Sequence, residues 1–159
     1  MHEIGLLGGT FERFHAGHEH LIRSALSNCN KLEIWLTNNK KAQSKDFRVK
    51  KWNERSGELQ DFLSENVSSA TIHTLEDDFG PAQEHKQASV IFFTEETLEK
   101  CEAINNARIS NRLKPLEIIS VNRIDAWDGE PISSSRIRSG VIDRRGQPWI
   151  PDSLFRTTI

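Results

Sequence analysis

Only two cysteines occur in the 159 residues, Cys29 and Cys101, far apart and without paired-thiol spacing. That excludes a cysteine-rich zinc site and fits two structural thiols in a reducing compartment. Long apolar runs are missing too: no stretch approaches the roughly 20 residues needed to span a bilayer. The opening residues, MHEIGLLGGTF, lack a basic start and reach glycines too soon for a secretory signal. A cytoplasmic chain without membrane contact is therefore the expectation. Excess charge of either sign is absent, the formal net charge being -2. Nothing global points to nucleic acid, so any anion site has to be local. Internal repeats and low-complexity linkers are lacking as well. What is present is ordinary for a globular chain, 36% hydrophobic and 28% charged residues. The length suits one domain over residues 1–159, with 144–159, which carries Pro148 and Pro151, as an irregular tail across it.

Short apolar runs alternate with amphipathic stretches. Ile4 to Leu7, Leu32 to Leu36, Ala70 to Leu75, Ser89 to Phe93 and Leu116 to Val121 read as strands. The unbroken run SVIFF predicts a strand buried on both faces. His18 to Leu26, Trp52 to Leu63 and Thr97 to Arg112 read as helices, and Ser133 to Ser139 opens a short one. Lys40 to Lys51, rich in Lys and Arg and poor in apolar residues, reads as a mobile loop. Strands alternating with helices predict a doubly wound, Rossmann-like parallel five-stranded α/β sheet flanked by helices. Such sheets bind ligands beyond the carboxyl ends of their strands.

Two clusters of chemistry-bearing residues fall at such ends. The first is Gly8-Gly9-Thr10-Phe11, followed by His15-Ala16-Gly17-His18. Glycines let backbone approach a phosphate, and a helix start offers free N–H groups and positive dipole. His15 and His18 lie three apart across that start, so their imidazoles can converge on an anionic phosphorus centre. From this chain's His and Gly content, H-x-G-H arises by chance in about 1% of such sequences, before the upstream GGTF is required. A tight turn with two surface histidines is one alternative. A metal site of His15, His18 and His20 is another, though no carboxylate stands at ligand spacing. The second cluster is Ser133-Ser134-Ser135-Arg136-Ile137-Arg138. Serines at a helix start present hydroxyls and N–H groups to one anion, and the arginines add permanent charge. A capped basic surface helix is the alternative for this segment taken alone.

GGTFERFHAGHEHL resembles the signature loop of the HIGH superfamily, which includes class I aminoacyl-tRNA synthetases and small nucleotidyltransferases. That resemblance implies that His15 and His18 contact the ATP phosphates within a loop formed by Gly8, Gly9, Thr10 and Phe11. ISSSRIR resembles the superfamily's second signature, I-S-S/T-T/S-x-I-R. By that likeness Ser133, Ser134 and Ser135, with Arg136 and Arg138, hold the β and γ phosphates. The likeness covers nearly the whole chain and is greatest for phosphopantetheine adenylyltransferases of the archaeal and eukaryotic type. It extends to Asp78-Phe79-Gly80-Pro81, Thr94 to Thr97, Asn105 to Arg108, Leu113 to Glu117 and Gly140 to Asp143. The activity so implied is transfer of AMP from ATP to 4′-phosphopantetheine, with pyrophosphate released. Mg²⁺ is expected with ATP, neutralising the triphosphate, with no metal ligand from protein side chains. An RNA-binding role, suggested by analogy with the synthetases, lacks a basic face or anticodon domain, so no nucleic-acid partner is expected. Thr10, Thr37 and Lys45 are implied on the acceptor side, Lys45 being the best match for the family's lysine after the second strand and Lys41 its rival.

Departures from the family pattern are Glu12 for the usual Asp, Trp35 where a Gly is common, and Asn39 for an Asp. Arg108 lies on a helix whose start faces the expected nucleotide, with a phosphate role and a surface ion pair as its two readings. Asp77-Asp78 reads as a turn before Gly80-Pro81 rather than a metal pair. Nicotinamide mononucleotide adenylyltransferases usually carry a Pro where this chain has Glu12-Arg13-Phe14. CTP-using relatives usually show R-T-x-G before the second signature, where this chain has Asp128-Gly129-Glu130-Pro131. A nucleotide-binding sensor without turnover is the reading from another class.

Overall fold

The computed structural model describes residues 1–44, 46–66, 69–94 and 97–149. Five strands, β1 (His2–Gly9), β2 (Cys29–Thr37), β3 (Ala70–Leu75), β4 (Ala88–Phe93) and β5 (Glu117–Ser120), form one sheet in the order β3-β2-β1-β4-β5. All four neighbouring pairs are parallel. The helices are α1 (Ala16–Leu26), α2 (Asn39–Gln43), α3 (Trp52–Asn66), α4 (Leu98–Ser110) and α5 (Ser134–Arg138). The sheet is doubly wound, as its alternating pattern predicts. Strand order reverses between β1 and β4, and a crevice opens there beyond the strands' carboxyl ends.

Alternation along the central strands sorts side chains into two layers. Leu7 of β1 and Val90 and Phe92 of β4 join a core with Ile22 and Ala25 of α1 and Leu59, Phe62 and Leu63 of α3. Their neighbours Leu6, Ile91 and Phe93 face the opposite way, against Cys101 and Ile104 of α4. This is why Val90 to Phe93 is apolar throughout. At the sheet centre the chain has no room for a side chain at Gly5, where a Cβ would lie 2.7 Å from the Phe92 ring and 2.9 Å from Cys29 Sγ. A third cluster, Ala16, Ala126, Ile132, Ile137 and Ile142, packs the start of α1 against α5.

Lys40 to Lys51 is not wholly a loop. Its first residues form α2, whose start is capped by Asn38, the side chain accepting from the Lys41 N–H at 2.9 Å. The lysine-rich turn has one buried residue, Ala42, and so lacks an apolar stripe that periodicity could detect. The residues after α5 are partly tied down: the Ala16 N–H donates to the Arg144 carbonyl at 2.9 Å. Residues 150–159 of the expected tail lie outside the described part.

Ile142 is fully buried in the third cluster. Ile142→Ala should lower unfolding free energy by about 2–5 kcal/mol, as loss of a buried aliphatic side chain does. Urea denaturation measures it, and a loss below about 1 kcal/mol would show that this residue does not bind the cluster together.

Candidate active site

The site begins with a buried guanidinium. Arg55 of α3 is fully buried, and it donates to the carbonyls of Lys50 (2.7 Å), Thr10 (3.0 Å) and Thr37 (2.8 Å) and to Thr37 Oγ1 (3.4 Å). It thereby fixes the ends of β1 and β2 side by side, where Gly9 already pairs with Leu36. Burial pulls its pKa down, and the Glu12 carboxylate opposes that effect. Three residues on, Glu58 accepts the Phe14 N–H at 3.0 Å and a bond from Arg144 Nη2 at 3.0 Å. One face of α3 thus holds the loop between β1 and α1 at two points. Phe11 and Arg13 in this loop take the left-handed conformation, φ +50° and +48°. For non-glycine residues that is strained backbone, sustained by its surroundings.

The loop delivers His15 and His18 to the start of α1. His15 is the N-cap, and its Nδ1 accepts the Gly17 N–H at 3.0 Å. The His15 N–H in turn donates to His18 Nδ1 at 3.2 Å. The rings stack with centroids 3.7 Å apart. Because both Nδ1 atoms accept, each neutral ring carries its hydrogen on Nε2. Burial lowers the pKa of His15 to about 4, helped by Arg144, and holds His18 well below the usual value, helped by His15. At neutral pH the pair is therefore two uncharged Nε2–H donors of fixed tautomer.

The second signature closes on the same loop. Ser133 caps α5, its side chain accepting from the Arg136 N–H. The Ser134 hydroxyl donates to the Glu12 carbonyl. Arg138 donates to the Glu12 carboxylate at 3.1 Å and lies 3.6 Å from Asp46 Oδ2. The departure Glu12 is buried and forms this bridge. Trp35 stacks on His73 with ring centroids 4.6 Å apart and lines the cleft, while Asn39 Oδ1 accepts the Trp52 N–H at 2.6 Å and holds the start of α3.

A single cleft of about 590 Å³ is lined by Gly8, Gly9, Thr10, Phe11, His15, His18, Thr37, Ser133, Ser134, Ser135 and Arg138. Two other sequence-derived candidates, Arg108 and Arg136, stand elsewhere. Arg108 is a correction: it is buried and donates to the carbonyls of Lys114 (2.8 Å), Ala82 (2.7 Å) and His85 (2.7 Å), so it ties α4 to the connection before β4 and does not line the cleft. Neither of its sequence readings, phosphate ligand or surface ion pair, holds. Arg136 is also turned from the cleft, bonding the Pro131 carbonyl at 3.0 Å and the Asp128 carboxylate. Lys45 lies outside the described residues. Its rival Lys41 is engaged with Asp78, and Asp77 accepts the Phe79 N–H at 3.1 Å in the expected turn. Arg55 escaped the sequence reading although a signal existed, because it stands four residues before Leu59 on the apolar face of α3.

A doubly wound sheet with glycine, hydroxyl and imidazole donors gathered at its switch point defines a nucleotide-binding α/β domain. The chain belongs to the cytidylyltransferase-like family, whose model matches residues 6–140. It is 34% identical over 149 residues to a phosphopantetheine adenylyltransferase of Thermococcus kodakarensis, covering 90% of this chain and 88% of that protein. It is likewise 34% identical over 151 residues to that of Pyrococcus horikoshii, covering 93% and 96%. A bifunctional phosphopantetheine adenylyltransferase/NTP phosphatase of Thermoplasma acidophilum is 34% identical over 93% of this chain, and the chain spans 45% of that protein's length. Among solved structures, an Archaeoglobus fulgidus protein of unknown function superposes with a TM-score of 0.67 at 23% identity, over 75% of this chain and 88% of that one. A bifunctional NMN adenylyltransferase/ADP ribose pyrophosphatase of Francisella tularensis superposes with a TM-score of 0.58 at 18% identity, over 87% of this chain and 42% of that one. These last two likenesses concern the fold.

Two predictions follow from the geometry. His15 has a folded pKa of about 4 against 6.5 when unfolded. Between those values the unfolded chain binds more protons, so stability falls as pH falls through this window. From pH 7 to pH 5 the His15 contribution to that loss is about 2 kcal/mol. His15→Gln should flatten the pH dependence of the urea midpoint there, and an unchanged slope would refute the assignment. Separately, Arg108→Met leaves three carbonyls without their donor and should lower stability by at least about 2 kcal/mol. Its KM for ATP should stay at the wild-type value, and a raised KM with unchanged stability would return Arg108 to the nucleotide.

Proposed function

We propose that this chain transfers the adenylyl group of ATP to 4′-phosphopantetheine, giving dephospho-coenzyme A and pyrophosphate. The observation that carries this reading is the convergence of both signature segments on one cleft, with the neutral His15–His18 pair at the α1 start and Ser133–Ser135 at the α5 start. The acceptor is supported by the names of the Thermococcus and Pyrococcus relatives, which align over most of both chains.

In this mechanism an ionised phosphate oxygen of the acceptor attacks the α phosphorus in line. The bond to the β-phosphate bridging oxygen breaks, and pyrophosphate leaves. No general base is required, since the nucleophile is already ionised at neutral pH. Catalysis reduces to alignment of two anions and stabilisation of growing charge. The Nε2–H groups of His15 and His18 donate to the phosphoryl oxygens of the transition state. Ser133, Ser134 and Ser135, with Arg138, hold the leaving pyrophosphate. Thr10 and Lys45 hold the acceptor phosphate, Lys45 neutralising charge between the two anions. Its chain neighbour Asp46 lines the cleft, which supports that role. Mg²⁺ bound with ATP would supply charge neutralisation on the triphosphate. Glu12, Asp46 and Asp78, the carboxylates lining the cleft, are engaged by Arg138, Arg48 and Lys41 respectively, so the donor set fits a cation carried by phosphate oxygens. No helix among the described residues is long and apolar enough to cross a membrane, and we place the reaction in the cytoplasm.

Pyrophosphate release with Mg-ATP, measured against 4′-phosphopantetheine and nicotinamide mononucleotide, tests the assignment. Turnover with 4′-phosphopantetheine and ATP in preference to CTP is expected. ATP binding without pyrophosphate release in the presence of either acceptor would indicate a sensor instead. His18→Ala should lower turnover by at least about two orders of magnitude in a folded protein. Lys45→Ala should depress turnover more than ATP affinity, because its charge matters most when both anions are close.

A further inference from the structure

Resting on the reading above, we propose that Arg55, acting through Thr37, aims the Thr10 hydroxyl hydrogen at the acceptor phosphate, which makes Arg55 and Thr37 positioning residues for the phosphate acceptor.

Bond directions carry the first part. A guanidinium can only donate, and a hydroxyl has a single hydrogen. Arg55 Nη1 donates to Thr37 Oγ1 at 3.4 Å, and Thr37 Oγ1 donates to Thr10 Oγ1 at 3.0 Å. The Thr10 oxygen thus accepts from the protein, and its own hydrogen is available to a group in the cleft it lines. Replacing Thr37 by a residue without a hydroxyl would free Thr10 to rotate. Arg55 also holds the Thr10 and Thr37 carbonyls, so the backbone beneath both hydroxyls is fixed by the same group that starts the relay. Donors in series polarise one another, strengthening the last in the row.

Charge carries the second part. Among the described residues, all four bonds of Arg55 go to uncharged oxygens, although the side chain is fully buried. A buried charge is costly unless it is paired. Glu12 is the carboxylate that favours the charge on Arg55, yet it is shared with Arg138 and Arg13. A phosphate dianion at Thr10 would supply the missing counter-charge at the open end of the relay. Ser134 of α5 meets this loop at Glu12 rather than Thr10. That divides the anion donors into a set for the triphosphate and a set for the acceptor.

Thr37→Val keeps the side-chain shape and removes the relay, whereas Thr37→Ser keeps the hydroxyl. The expected result for Thr37→Val is a rise of about tenfold in KM for 4′-phosphopantetheine, the value of one charge-assisted hydrogen bond, with KM for ATP within about twofold. Thr37→Ser should restore the wild-type KM, and binding of unphosphorylated pantetheine should not respond to either change. Unchanged kinetics in Thr37→Val, equal rises in both KM values, or failure of Thr37→Ser to restore function would overturn the relay. Calorimetric titration of inorganic phosphate into protein saturated with a non-hydrolysable ATP analogue separates this proposal from the choice of acceptor. The deciding case is a wild-type protein that does not turn over 4′-phosphopantetheine. A tenfold phosphate weakening in Thr37→Val, reversed in Thr37→Ser, would then uphold the relay while the acceptor reading falls; unchanged phosphate affinity would sink the relay itself.

Discussion

The ends of β1 and β2 and the connection into α3 meet at one guanidinium. Without a donor at that point, the carbonyls of Thr10, Thr37 and Lys50 would be left without the bonds that Arg55 gives them. Backbone polar groups removed from water require partners. A lysine could not replace it, because a single ammonium on a flexible stem lacks the planar fork that reaches carbonyls on two strands and a loop. Everything nearer the cleft is built on this support. The strained Phe11 and Arg13 conformations hold because Arg55 grips the loop at Thr10 and Glu58 grips it at Phe14.

The cleft uses two kinds of donor with different electrostatics. Arg138 is permanently charged but shared with carboxylates from two segments, Glu12 and Asp46. Its field is therefore partly cancelled before any ligand arrives. The histidines are uncharged, oriented by backbone N–H groups and stacked on one another. Two imidazolium rings at that distance would repel, which is one cause of the depressed His18 pKa. Neutral donors of fixed direction stabilise charge that grows during reaction without binding the ground-state anion too tightly.

Much of this architecture was legible in the sequence. The two glycine- and serine-bearing signatures stand out because phosphate binding needs particular residue types in a short span. SVIFF announced a strand buried on both sides. Arg108 shows the limit of that legibility. An arginine near a nucleotide-facing helix looks the same in sequence whether it meets phosphate or carbonyls, and only the position of Ala82 and His85 decides between them. The short α2 was invisible because a helix with one buried residue has no stripe to read. Arg55 was visible as a charge on an apolar helix face, but its partners lie up to 45 residues away. The bridging role of Glu12 depends on Arg138, 126 residues distant, and no local pattern encodes it.

The Ser134 bond to the Glu12 carbonyl spans 122 residues, and the Arg144 bond to the Phe14 carbonyl spans 130. A nascent chain emerging from the ribosome can pair β1 with β2 early, because α1 alone separates them. The loop between β1 and α1 must then wait, exposed, until the segment from Ser134 to Arg144 has been translated and α5 can swing back against it. Contacts of such long range are paid for in loop closure before they give anything back. Synthesis and folding of this chain therefore have a natural order, in which the sheet comes first and the cleft is sealed last.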